Sequence, residues 1–327
     1  MRRLSFCISF PHQSLINHYK QGVLVSGYLQ DKVVAVTGGG RGIGRCVALD
    51  CARAGAIVVV ADFGVSMDGS EPSSEIAQSV VDEIIALGGR AVAVASDIST
   101  MAGAQAVVAA AIEVGGRIDG VVCVAGILRE RMLFNMEENE WDDVVRVHLK
   151  GTFTMYRTAS AVMRKQEGGG SLIGFTSGVW ALGSVSQPNY AAAKGGIVSL
   201  NYSAAVGLHR YGVRSNVIAP VARTRMSANV PTTLKEIGDP EDVSPMVVYL
   251  LSDKAKHITG QVYTVVGGKI AVWSQPKEQR AMYKNGRWTP EEIEESIDSV
   301  VGFEELPFLK TVEDQRIAAA AKDKPNA

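Results

Sequence analysis

The sequence predicts an α/β fold, a doubly wound parallel sheet of seven strands with helices on both faces. Three observations lead there. Seven short runs rich in β-branched residues are spread over residues 31–270. Most are apolar throughout rather than alternating, which is the pattern of parallel strands covered on both faces. Longer Ala-rich stretches of helical period separate them. A glycine cluster sits where the first run gives way to the first of those stretches.

In chain order the expected strands are Lys32–Thr37, Ile57–Asp62, Ala91–Ser96, Gly120–Ala125, Ser171–Thr176, Val213–Ala219 and Gln261–Val266. The expected helices are Ile43–Ala54, Ser73–Leu87, Ala102–Val114, Glu138–Gln166 and Tyr190–Tyr211. Ligands of such sheets bind at the carboxyl ends of the strands, near the point where the strand order reverses. Residues 31–270 therefore read as one dinucleotide-binding catalytic domain. Residues 1–30 carry Arg2, Arg3 and Lys20 and no acidic residue. Their apolar run Leu4–Phe10 is too short for a secretory signal, so they read as a loose extension. Residues 271–327 carry 11 acidic and 8 basic residues and no strand-like run. Thr289-Pro290-Glu291-Glu292 reads as a helix start, with Thr as N-cap and Glu at the third position, so a helix over 290–301 is expected in a C-terminal helical extension. The last ten residues are expected to fray. The extension serves either as packing or as a lid or subunit clasp.

Composition excludes several classes. The chain has 327 residues, 33 Lys+Arg against 34 Asp+Glu, and 46% apolar residues. That is too apolar for disorder and not basic enough for a general nucleic-acid binder. No run of 18 apolar residues is present, so no membrane span is expected. The four cysteines, Cys7, Cys46, Cys51 and Cys123, have no C-x-x-C spacing. Metal clusters and disulfide scaffolds are not expected, and a cytoplasmic setting with reduced thiols is.

Gly38-Gly39-Gly40-Arg41-Gly42-Ile43-Gly44 links the first strand to the first helix. The chain must turn sharply there, and backbone without Cβ lets a pyrophosphate approach the helix N-terminus. No Gly-Lys-Ser/Thr follows, which excludes a Walker-type loop. The turn is thus expected to be Rossmann-type and to bind a dinucleotide through Gly38, Arg41, Gly42, Ile43 and Gly44. Asp62 closes the second strand, 18 residues after Gly44. A carboxylate there accepts from ribose hydroxyls and repels a 2′-phosphate, which favours NAD over NADP. Arg41 works the other way, because a guanidinium in the turn can pair with a 2′-phosphate.

Tyr190 and Lys194 are one helical turn apart on one face. An ammonium beside a phenol is expected to lower a pKa that is ordinarily about 10 and to make Tyr190 a usable acid/base. Ser177 follows the fifth strand, 13 residues before Tyr190, where its hydroxyl can orient a substrate carbonyl. The local sequence Gly174-Phe-Thr-Ser177-Gly178 is not a hydrolase nucleophile elbow.

Together the glycine turn, Asp97-Ile98 after the third strand, Ala125-Gly126 after the fourth, and Ser177…Tyr190-x-x-x-Lys194 resemble the short-chain dehydrogenase/reductase family across 31–270. The resemblance implies hydride transfer with catalytic Ser177, Tyr190 and Lys194 and no metal. Lys194 would also hold the nicotinamide ribose and Asp97 would contact the adenine. Ile98, Ala125, Gly126, Pro220 and Thr224 would join the cofactor site. Three positions depart from the usual pattern. Asn-Asn-Ala-Gly reads Cys123-Val124-Ala125-Gly126, putting two sheet-end hydrogen bonds in question. A helix asparagine is replaced by His148, and Pro-Gly reads Pro220-Val221. His148 has two readings: a relay residue holding a water towards Lys194, or a buried, hydrogen-bonded histidine. Cys123 reads as a small packed residue rather than a reactive thiol.

Within the family, segments such as Arg146-Val147-His148-Leu149-Lys150-Gly151 and Ala219–Met226 resemble the branch that holds the (3R)-hydroxyacyl-CoA dehydrogenase module of multifunctional enzyme type 2 and its stand-alone bacterial relatives. That implies NAD-linked interconversion of a 3-hydroxyacyl and a 3-oxoacyl thioester, with acyl-CoA as the small-molecule partner. Arg223, Arg225 and Lys235 would attract the CoA anion or be ordinary solvated charge. The alternatives are a steroid, terpene or other small-carbonyl dehydrogenase, or a non-catalytic NAD-binding module. The resemblance also implies a homotetramer or homodimer.

Overall fold

The computed structural model describes residues 27–64, 73–224 and 237–322. Arg225 and Lys235, residues 1–26 and the final five residues lie outside them. The first strand, β1 (Val33–Thr37), is buried along its whole length. Helix α1 (Gly42–Arg53) follows, then β2 (Ile57–Ala61), α2 (Glu75–Ala86), β3 (Arg90–Val94), α3 (Met101–Gly115) and β4 (Gly120–Cys123). Next come α4 (Glu138–Val145), a π-helical turn at Arg146–Lys150, α5 (Gly151–Met163) and β5 (Gly170–Phe175). The remaining sheet elements are short α6 (Val179–Leu182), long α7 (Pro188–Leu208), β6 (Val213–Pro220), α8 (Ser244–Leu251), β7 (Val262–Val266) and β8 (Lys269–Val272).

The strands form one sheet in the order β3-β2-β1-β4-β5-β6-β7-β8. The first seven are parallel. Val34 of β1 pairs with Val58 of β2 on one side and Gly120 of β4 on the other. The order reverses between β1 and β4, so their carboxyl ends open the crevice where a ligand enters. One core lies on the α1, α2 and α8 face and includes Val34, Val36, Val58, Val60 and Leu250. The other lies on the α3 and α5 face and includes Val33, Ala35, Val59, Val107 and Met155. Burial on both faces explains why these strands are apolar throughout.

Three elements differ from the sequence expectation. The sheet has eight strands rather than seven, because β8 turns back antiparallel onto β7 through Gly267-Gly268. Gly267 has φ +52, the left-handed geometry a two-residue hairpin needs. The four-residue strand is too short and too exposed to announce itself by periodicity. The expected helix 138–166 is interrupted by the π-helical turn, which inserts an extra residue of winding at His148. Beyond the expected helix start, α9 (Pro290–Ser296) has the Thr289–Glu292 capping box and leads into a π-helical turn at Ile297–Val301. The tail then forms α10 (Pro307–Lys322), so of the last ten residues, expected to fray, 318–322 are helical and the final five lie outside the described residues.

Arg214 on β6 is a buried cation that hydrogen-bonds backbone carbonyls, and burial lowers its pKa. Its guanidinium donates to the carbonyls of Leu250 (2.7 Å), Ile258 (3.3 Å) and Ser252 (3.4 Å). It thereby closes the C-terminal end of α8, whose last carbonyls have no intrahelical partner. Arg214→Met should lose about 1.5–3 kcal/mol, the worth of hydrogen bonds from a charged donor. A urea midpoint lower than wild type is the expected result; an unchanged midpoint would show that the guanidinium is not a stabilising donor.

Candidate active site

The glycine turn is built by close contacts. Gly38 has φ +64, and a Cβ there would meet Ala125 Cα at 2.7 Å. A Cβ on Gly44 would stand 2.0 Å from the Gly38 carbonyl oxygen, so helix and turn touch backbone to backbone. Helix α1 opens with Arg41 as N-cap, which makes no side-chain capping bond, and with no acidic residue in its first turn. Its first N–H groups have no intrahelical acceptor and face no acidic side chain in that turn, which suits an anionic pyrophosphate. Thr224 stands over the same turn, its Cγ2 3.9 Å from where a Gly42 Cβ would be. These residues fit a dinucleotide.

Asp62 lies at the end of β2 and braces this turn. Its Oδ2 accepts from Gly40 N–H and its Oδ1 from Gly64 N–H, each at 2.8 Å. Each carboxylate oxygen keeps acceptor capacity for a ribose hydroxyl. Asp97 Oδ1 accepts from Ser99 N–H, while Oδ2 accepts from Arg146 at 3.2 Å. Ile98 is buried, and its carbonyl accepts from Thr154. The sheet end at Val124-Ala125 is held without the usual asparagines. Val124 N–H donates to the Thr37 carbonyl (3.2 Å) and Ala125 N–H to Thr37 Oγ1 (3.4 Å). Pro220 ends β6 at the same side of the sheet.

Ser177, Tyr190 and Lys194 are brought together. Thr176 Oγ1 donates to the Lys194 carbonyl (2.9 Å), and Lys194 Nζ donates to the Phe175 carbonyl (2.7 Å). Lys194 Nζ is 5.2 Å from the centre of the Tyr190 ring, and the Ser177 side chain lies close enough to the Tyr190 hydroxyl to favour its ionised form. The expected lowering of the Tyr190 pKa is not found. Burial pushes the phenol up to about 12, and the nearby Ser177 side chain opposes this only in part. The amine that should have lowered it is itself buried, which brings Lys194 down to about 7. Near neutral pH it supplies only a fractional charge. Cys123 is likewise buried, its thiol pushed up to about 12, an unreactive state.

His148 occupies the π-helical turn and is 2% exposed. Its Nε2 lies 2.8 Å from the Ile127 carbonyl and 3.2 Å from Ile127 N–H. The shorter contact makes Nε2 the proton-bearing nitrogen, donating to the carbonyl. The ring meets Tyr190 edge to face, with centroids 5.1 Å apart. A Cβ on Gly126 would strike the imidazole at 2.1 Å, so Gly126 clears space for His148. Burial holds the ring well below its ordinary pKa, hence neutral. Nδ1 is buried without a hydrogen-bond partner.

Residues 38–269 match the family model described as Enoyl-(Acyl carrier protein) reductase. The chain is 42% identical over 280 residues to the hydroxyacyl-CoA dehydrogenase ChsB1 of Mycobacterium tuberculosis, covering 81% of this chain and 87% of that protein. A crystal structure of a short chain dehydrogenase from Mycobacterium avium aligns with a TM-score of 0.76 at 42% identity, covering 85% of this chain and 97% of that one. The chain belongs to the short-chain dehydrogenase/reductase family. It is an oxidoreductase of a family that uses NAD(P). It is also 35% identical over 287 residues to the peroxisomal multifunctional enzyme type 2 of Mus musculus, of which it spans 38%.

Other residues of this dehydrogenase/reductase support the site without an obvious sequence signal. Arg146 bridges Asp97 and Ser99 to Asp143, tying the end of β3 to the helix that carries His148. Trp180, on the turn after Ser177, packs against Trp273 at 5.4 Å between ring centres. Trp273 is fixed in turn by a 2.8 Å bond to Thr264 Oγ1. Asn189 sits directly before Tyr190, and that adjacency was its only sequence clue. Arg223 pairs with Asp239 across the base of the segment outside the described residues. Among the described residues no helix is long and apolar enough to cross a membrane, and no group of three or more His, Cys, Asp or Glu is placed to hold a metal.

Because His148 stays neutral when folded but binds a proton near pH 6.5 when unfolded, the unfolded state takes up more protons below that pH. Stability should therefore fall as pH drops from 7 to 5. His148→Asn should flatten this fall in urea unfolding at the two pH values; an equal fall in both proteins would show that His148 is not the group responsible.

Proposed function

We propose that this enzyme interconverts a 3-hydroxyacyl thioester and its 3-oxoacyl partner, with NAD(H) as cofactor and an acyl-CoA as substrate. The observation that carries the reaction class is the convergence of Ser177, Tyr190 and Lys194 at the carboxyl end of β5. The thioester is supported by the 42% identity to a hydroxyacyl-CoA dehydrogenase over most of both chains. When bound, the nicotinamide supplies the hydride acceptor or donor, and its oxidised ring brings a positive charge.

The chain's own residues do the rest. Gly38, Gly42, Ile43 and Gly44 receive the pyrophosphate at the α1 N-terminus, with Arg41 and Thr224 at its edge. Asp62 takes the adenosine ribose, and its negative charge disfavours a 2′-phosphate, the ground for NAD over NADP. Asp97 and Ile98 line the adenine side, and Ala125, Gly126 and Pro220 line the sheet end. Lys194 takes the nicotinamide ribose. Ser177 donates a hydrogen bond to the substrate oxygen, and Tyr190 Oη gives or takes the proton on that oxygen. His148 keeps the Tyr190 ring in place by edge contact, with Nδ1 available to accept a hydrogen bond along the path to Lys194.

The same reading includes a homodimer or homotetramer, supported by exposed apolar residues on the long helices, Phe153 on α5 and Val206 on α7, at 46% and 83% exposure. It also includes a cytoplasmic setting, consistent with the buried free thiols Cys46, Cys51 and Cys123. Residues 31–270 serve as the catalytic domain, flanked by the two extensions.

Purified protein should oxidise 3-hydroxyacyl-CoA with NAD faster than with NADP and reduce acetoacetyl-CoA with NADH. Tyr190→Phe should lower kcat roughly 100- to 10,000-fold, the range of lost acid–base catalysis. Turnover of secondary alcohols such as sterols with none of any acyl-CoA would overturn the thioester assignment.

A further inference from the structure

Asn189 is completely buried, and its side chain bonds to three separate parts of the chain. Oδ1 accepts from the Tyr190 N–H at 2.7 Å. Nδ2 donates one hydrogen to the Arg129 carbonyl (3.0 Å) and the other to the Glu140 carbonyl (2.9 Å). Three of the amide's four hydrogen-bonding positions are filled. The Tyr190 N–H belongs to the first turn of α7, where backbone donors have no intrahelical acceptor. Pro188 at the first position has no N–H at all. Arg129 belongs to the segment leaving β4, two residues from Ile127, which holds the His148 ring. Glu140 lies on α4, which runs into the π-helical turn carrying His148.

One amide thus joins the start of the tyrosine helix to both segments that hold the histidine. A second latch runs alongside, in which Arg131 N–H donates to the Ser186 carbonyl (2.8 Å) and Gln187 bonds Glu130. Arg131 is held by a two-pronged contact with Glu140. The latch crosses between the same elements through a backbone bond and exposed side chains, whereas the Asn189 side chain is itself fully buried and its bonds are partly so. Hydrogen bonds in a dry site hold geometry more firmly than exposed ones.

We infer that Asn189 is a positioning residue for the reaction: it sets where the Tyr190 hydroxyl stands relative to Ser177 and His148. The inference rests on the dehydrogenase reading of Tyr190. It touches neither the glycine turn nor Asp62, so its removal should leave cofactor binding in place. A shift of about 1 Å in a reacting group can slow a reaction on the order of 100-fold.

The test compares wild type, Asn189→Ala and the milder Asn189→Ser, which retains one donor. Three quantities are read: kcat with acetoacetyl-CoA and NADH, the NADH dissociation constant by fluorescence, and amide hydrogen exchange. The expected result is a kcat about 10- to 100-fold lower for Asn189→Ala, with a smaller loss for Asn189→Ser. NADH affinity should stay within about twofold, as expected of a group that acts on the geometry of the reacting atoms rather than on binding. Exchange should quicken only in 127–140 and 186–194. Should the alanine variant not fold, the serine variant carries the same comparison. Unchanged kcat, or a kcat loss matched by equal loss of NADH binding and exchange protection throughout the sheet, overturns the inference. If wild type turns over no acyl-CoA, the thioester reading fails on its own, and exchange confined to those two segments still decides for Asn189.

Discussion

Two hydrogen bonds between the end of β5 and the middle of α7 govern the geometry of this site. Lys194 reaches from the helix to the Phe175 carbonyl, and Thr176 reaches from the strand to the Lys194 carbonyl. Each element supplies one donor and one acceptor, so sliding the helix along the strand breaks both. Ser177 is the next residue on the strand side, and Tyr190 is one turn earlier on the helix side. The distance between the two hydroxyls is therefore set by bonds made next to them. Both partners of each bond are buried, and leaving either unpaired would cost about 1–3 kcal/mol.

The electrostatic consequence follows from that burial. A lysine pinned in a dry site is poorly solvated, so its amine is poised near neutrality rather than fully charged. The neighbouring, half-buried phenol is pushed up by its surroundings and keeps its proton. The protein without ligand thus holds a protonated, uncharged phenol beside an amine that carries only a fractional charge near neutral pH. His148, neutral for the same reason, adds no charge. Charge enters this pocket with the ligands, and the pair is placed to respond to it.

Much of this was legible in the sequence. The parallel strands were visible because burial on both faces removes polar residues, and the glycine turn because close backbone contacts at Gly38 and Gly44 admit no side chain. Ser177, Tyr190 and Lys194 were visible from residue type, spacing and order. The rest was hidden for physical reasons. β8 is a four-residue edge strand whose pairing depends on a glycine hairpin rather than on an apolar run. The π-helical turn has no composition signature; it shows only in the winding that turns His148 towards Ile127. The upward shift of Tyr190 in the protein without ligand was not legible, because spacing gives proximity but not dielectric, and there burial outweighs the nearby amine. Asn189 and the Trp180–Trp273 contact depend on partners far away in the chain.

The central claim is that the β5–α7 lock keeps Lys194 dry. It is tested most directly by NMR titration of lysine labelled with ¹³C at Cε, with Lys194→Met assigning the signal. In the protein without ligand, Lys194 should titrate with a midpoint near 7, far from the ordinary lysine value of about 10.4. A midpoint close to that ordinary value would mean that the amine is solvated, and would contradict the account.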